Sequence, residues 1–156
     1  MIKTRLGDGT YVCERSEFFS RPLLWAIASS SEADVNELVE ARILIEVELA
    51  GMAAERATDD HIERLAELLD RMIKLKRSPM EFVQADVDFH LTVARAASNK
   101  ILMNALQLIR NLLQRWIMSA ITTKGIAEKA CSRHKRVLTA IKVRDVAAAR
   151  KEMKKH

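Results

Sequence analysis

Four polar side chains sit where a helical period calls for apolar ones. One stripe reads Phe82, Asp86, His90, Val93 and Ala97; a second reads Ala130, His134, Val137, Leu138 and Ile141; a third reads Val146, Ala149, Met153 and His156. Asp86 and His90 are four residues apart, so both project from one helix face. His134 and His156 are 22 residues apart, with a chain reversal expected at Val143-Arg144-Asp145. At about 1.5 Å per residue they finish nearly level on antiparallel helices. If the helix carrying Asp86 and His90 packs beside that pair, one carboxylate and three imidazoles converge inside a bundle. Such a set suits a divalent transition metal, with zinc the default and nickel or manganese the alternatives. Taken singly, an inward histidine is ordinarily a core residue bonded to a carbonyl. It is the set, with matched levels, that points to a metal. His61 stands apart, because it falls in a first helical turn where exposure is expected.

Arg42 and Glu46 are a second anomaly, four apart on the stripe Val35, Leu38, Val39, Leu49, Ala53. They form either an intrahelical ion pair worth a few tenths of a kcal/mol or an inward guanidinium able to grip a ligand carboxylate with two hydrogen bonds. Both readings stand at this point.

Helices must position these residues, and the composition agrees. Of 156 residues, 49% are hydrophobic, only four are Gly and two are Pro. A chain this apolar is not disordered, and one this poor in turn formers is not a β-sandwich. No Gly-rich phosphate loop is present. Periodicity predicts helices over about 34–56, from Thr58 as N-cap to about Arg77, from Ser78 to about Ala97, over 100–121, over 127–142, and from Asp145 as cap to His156. Ser78-Pro79-Met80-Glu81 predicts a capping box. Ahead of these, Arg5-Leu6-Gly7-Asp8-Gly9-Thr10-Tyr11-Val12 reads as a β-hairpin. Residues 14–33 read as a linker with a short helix near 20–28. The fold class is all-α: an antiparallel bundle of six to seven helices with a short N-terminal β-hairpin.

Net charge is +5 and uneven. Between Lys124 and His156 lie eleven Lys/Arg against three Asp/Glu. No aromatic residue is interleaved there to stack on bases, so a solvated helix face is favoured over a nucleic-acid surface. Cys13 and Cys131 form no C-x-x-C and are expected to be reduced thiols. No apolar run approaches a membrane span and no signal peptide opens the chain, so a cytoplasmic protein is expected.

Asp86-Val87-Asp88-Phe89-His90, followed by Ala96-Ala97-Ser98-Asn99, resembles the D-x-x-F-H…A-x-S-x-N segment of the FCD ligand-sensing domain of FadR-type regulators, in the GntR family of bacterial transcription factors. Arg133-His134, Ala140-Ile141, Ala149, Met153 and His156 are similar to its closing H…A-I…A…M…H. Arg42 through Glu46, with Ala53-Ala54-Glu55-Arg56-Ala57, match its opening helix. Thr4-Arg5-Leu6-Gly7-Asp8-Gly9-Thr10-Tyr11-Val12 is similar to the wing of the GntR winged helix-turn-helix, with no recognition helix ahead of it. A fragment is therefore expected: 1–13 the remnant of a wing, 14–33 a linker, 34–156 an effector-binding and dimerisation domain. One departure is Val143-Arg144-Asp145, where the family usually has A-G-D.

The resemblance implies a homodimer that binds a small organic acid in a metal-containing pocket and so modulates operator binding through the missing winged helix-turn-helix. By position, Asp86, His90, His134 and His156 would be the metal ligands and Arg42 would meet the effector carboxylate. Family members that take long acyl-CoA tend to lack this metal set. Its presence points to a hydroxy- or keto-acid, and the opening segments look most like lactate-utilisation regulators. Two alternatives are a metal-dependent hydrolase-like enzyme and a purely structural bundle. An enzyme is not expected: there is no H-E-x-x-H, and the nearest acids, Asp88 and Glu128, should point elsewhere.

Overall fold

The computed structural model describes residues 2–5, 9–12 and 32–156. The chain divides into two units, residues 1–37 and 38–156. In the first, β1 (Ile2–Arg5) pairs antiparallel with β2 (Gly9–Val12), with Ile2 opposite Val12 and Arg5 opposite Gly9. The expected linker helix near 20–28 lies outside the described residues.

Six helices follow among the described residues: α1 (Glu32–Arg56), α2 (Asp59–Lys74), α3 (Pro79–Ala96), α4 (Lys100–Ile121), α5 (Ile126–Lys142) and α6 (Val146–Lys154). The fold class is all-α. Local chemistry sets most of the boundaries. The Thr58 side chain accepts from His61 N–H at 3.3 Å, and the His61 ring accepts from Thr58 N–H at 3.2 Å. That reciprocal pair satisfies two donors of the first turn of α2. It also gives His61 an exposed capping role away from the other histidines. Asn99 caps α4 by accepting from Leu102 N–H, and Asp145 caps α6 by accepting from Ala148 N–H. Gly125 opens α5 at φ +84°, a conformation that a side chain would strain.

Two sequence expectations are corrected. Ser78 precedes α3 without a side-chain cap, so the predicted capping box is not formed. Pro79 has a fixed φ and no N–H to satisfy, and it starts the turn by itself. α6 stops at Lys154 rather than running to His156. The last turn tightens instead, with His156 N–H donating to Met153 O at 3.0 Å.

α2 packs against α3 and α5, α3 against α4, and α5 against α6. The core holds Leu65, Leu68 and Met72 of α2, Phe82, Phe89 and Val93 of α3, Val137 and Ile141 of α5, and Met153 of α6. α1 contributes small residues, Ala50, Ala53 and Ala54, which let its neighbours approach closely. Between α5 and α6, Arg144 takes φ +61°, in the left-handed region that favours glycine. No described helix is long and apolar enough to cross a membrane.

Candidate metal centre and effector cavity

α3 delivers Asp86 and His90 from one face, α5 delivers His134, and the turn after α6 delivers His156. Asp86, His90 and His134 are buried, and His156 is half-buried. One ligand-capable atom from each of the four lies within 4.8 Å of the others. His90 Nε2 is 2.9 Å from His156 Nε2, and His134 Nε2 is 3.1 Å from Asp86 Oδ1. Phe89 packs edge-on against the His134 ring, with centroids 4.5 Å apart.

The tautomers follow from the outer contacts. His134 Nδ1 lies 2.7 Å from Ala130 O. A carbonyl can only accept, so Nδ1 carries the hydrogen; in the neutral ring, the form that binds metal, Nε2 is then bare and turned inward. That Nε2 is buried with no hydrogen-bond partner and faces a carboxylate oxygen. Two acceptors at this separation repel unless a cation lies between them. His90 Nδ1 lies 3.1 Å from Glu46 Oε1, which favours a hydrogen there and leaves Nε2 bare. The residues present therefore fit a divalent transition metal.

Protonation fits as well. Burial, reinforced by the nearby Arg110 charge, pushes His90 down to about 4. Burial and then the neighbouring imidazoles push His156 well below the usual histidine range. Burial alone would raise the Asp86 carboxyl, but Arg110 and the histidines outweigh it and hold it well below the usual range. Neutral His90 and His156 beside an ionised Asp86 are in the protonation states that metal binding requires.

Arg110 of α4 was not singled out in the sequence. It is 3% exposed, donates from Nη2 to Asp86 Oδ2 in a short hydrogen bond, and donates from Nη1 to Glu46 Oε1 at 2.8 Å. One guanidinium thus fixes a carboxylate of the centre and the carboxylate behind His90. The signal was available, since Arg110 sits on the apolar stripe Leu106, Leu113, Ile117 of α4. Arg42 combines parts of both its readings. Its Nε is 3.5 Å from Glu46 Oε2, and its side chain lines a cavity of about 270 Å³ that also reaches Asp86 and His156. Asp88 accepts from Gln84 and Glu128 is exposed, so neither joins the centre.

Fold and site together define an all-helical domain with a buried three-histidine, one-aspartate cluster opening into a small cavity. The FCD domain model matches residues 37–156, and the chain belongs to that family. It is 28% identical over its whole length to the HTH-type transcriptional regulator LutR of Bacillus subtilis, spanning 74% of that protein. It is equally identical to the putative L-lactate dehydrogenase operon regulatory protein of Escherichia coli and 27% identical to the Uxu operon regulator of Haemophilus influenzae, spanning 63% and 59% of them. These relatives are regulators of transcription rather than enzymes. Streptococcus agalactiae GntR shares the fold, with a TM-score of 0.72 at 23% identity over 99% of this chain and 71% of that one.

Proposed function

We propose that residues 34–156 form the effector-sensing and dimerisation domain of a GntR-type regulator, in which a small organic acid binds at a divalent metal held by Asp86, His90, His134 and His156. The observation that carries this reading is the inward convergence of three imidazoles on a carboxylate, with His134 Nε2 and Asp86 Oδ1 facing each other. Zinc is the proposed ion, because it accepts nitrogen and oxygen ligands without a strong geometric preference. With these four ligands in place, a bound zinc would have to expand beyond four-coordination to take a carboxylate or hydroxyl oxygen.

The chain's own residues do the rest. Ala130 O and Glu46 orient two of the imidazoles, Arg110 keeps Asp86 ionised, and Arg42 reaches the cavity as a carboxylate-binding guanidinium. The cavity is near the roughly 300 Å³ lower end of small-molecule sites, which favours a compact hydroxy- or keto-acid over a long-chain one. The names of the LutR and lactate-operon relatives support a lactate-like ligand. Pairing as a homodimer would let the ligand change how two reader domains sit on an operator. The hairpin β1–β2 resembles the wing of such a reader.

Thermal-shift measurement of the zinc-loaded protein against a panel of organic acids tests this. A ligand should raise the melting temperature by mass action and be recovered unchanged. Turnover of that acid would favour the enzyme instead. No shift with any acid in the panel, by protein shown to hold metal, would count against a sensor.

A further inference from the structure

The charged side chains nearest the centre balance before any ion is counted. Asp86 and Glu46 are two carboxylates, and Arg110 and Arg42 are two guanidiniums. Arg110 bonds both carboxylates, and Arg42 stands 3.5 Å from Glu46. The imidazoles add no charge when neutral. A divalent ion here therefore brings two positive charges that none of these side chains neutralises. Uncompensated charge in an interior is costly, so anionic groups must enter with it.

The cavity wall carries further cations. Lys129 and Arg133 are exposed residues one turn apart on α5, and both line the cavity that reaches Asp86 and His156. Lys129 has no ion-pair partner among the described residues. Arg133 donates only to a backbone oxygen, His156 O at 3.2 Å. Much of the remaining wall is apolar, with Phe82 of α3 and Ile117 and Ile121 of α4. A monocarboxylate would cancel one of the two charges and leave Lys129 and Arg133 facing an uncharged end.

Building on the metal reading of this site, we infer that its ligand is a compact dianion, with one carboxylate at the metal and Arg42 and a second at Lys129 and Arg133. A lactate-like head with an added carboxylate meets both requirements.

The test is calorimetric titration of the zinc-loaded protein with L-lactate and with L-malate. Malate is lactate with a carboxylate in place of one methyl hydrogen, so the pair isolates one charge. Malate should bind at least about tenfold more tightly, the scale of one charge-assisted contact. Lys129→Met should bring malate down toward lactate. Malate binding no tighter than lactate, or a preference that Lys129→Met does not reduce, overturns the dianion and leaves the metal reading standing. If neither acid binds to protein shown to hold zinc, the effector reading falls and the dianion with it.

Discussion

His134 Nε2 lies 3.1 Å from Asp86 Oδ1, and with Nδ1 committed to Ala130 O a neutral ring sets two acceptors face to face. A plain structural bundle would have no reason to bury that pair. Apolar residues of similar volume pack without the penalty of a bare nitrogen against a carboxylate. A cation between the two turns the repulsion into two bonds, and the predictions below follow from that arrangement.

Arg110 should be critical to stability although it is neither one of the four ligands nor part of the cavity wall. Arg110→Met leaves Asp86 and Glu46 buried without their guanidinium, a loss of about 3–5 kcal/mol for breaking a buried pair. Arg110→Lys keeps a charge but not the two-pronged reach, so its cost should be smaller. Urea denaturation of the metal-free protein measures both. A neutral Arg110→Met would mean that the two carboxylates are satisfied elsewhere.

Acid should destabilise the metal-free protein in a specific window. In the unfolded chain His90 takes up a proton near 6.5, whereas burial lowers it to about 4 in the fold. The unfolded state therefore binds more protons between those values. Stability is fully present above about 6.5 and is lost as pH falls toward 4, by roughly 3 kcal/mol at about 1.4 kcal/mol per pH unit. Below that, the depressed carboxyls of Asp86 and Glu46 extend the loss. Denaturation midpoints across this range check it, and His90→Gln should flatten the slope.

The helix starts should respond unequally to alanine. Asn99→Ala removes the side chain that accepts from Leu102 N–H at 3.1 Å and should cost about 1 kcal/mol. Ser78→Ala should change stability by less than about 0.5 kcal/mol, because Ser78 makes no side-chain cap. Paired thermal melts settle the comparison, and a costly Ser78→Ala would restore the capping box.

Much of this arrangement was legible in the residues, and the misses have physical causes. Asp86, His90, His134 and His156 were visible because each interrupts an apolar stripe, and helical periodicity puts such interruptions indoors. Arg110 carries the same signal on α4. It was overlooked because that helix is apolar over so broad a face that one arginine passes as its polar edge. Glu46 was seen only as the partner of Arg42. Its contact with His90, 44 residues away in the chain, is a tertiary fact that spacing within one helix cannot supply. Ser78 misled for the opposite reason. The box pattern was present, but Pro79 alone is enough to begin the helix. The end of α6 was placed too late because periodicity fixes which face a residue shares, not the turn at which the backbone hydrogen bonds stop.

The central claim is that a metal joins His134 to Asp86, and metal content measures it most directly. Protein purified without chelator should carry about one equivalent of a divalent transition metal, and stripping it should lower the melting temperature. His134→Ala should abolish the stoichiometric metal. Less than about a tenth of an equivalent, after zinc has been supplied in excess and with an unchanged melting temperature, would contradict the account. The three histidines would then be core residues and nothing more.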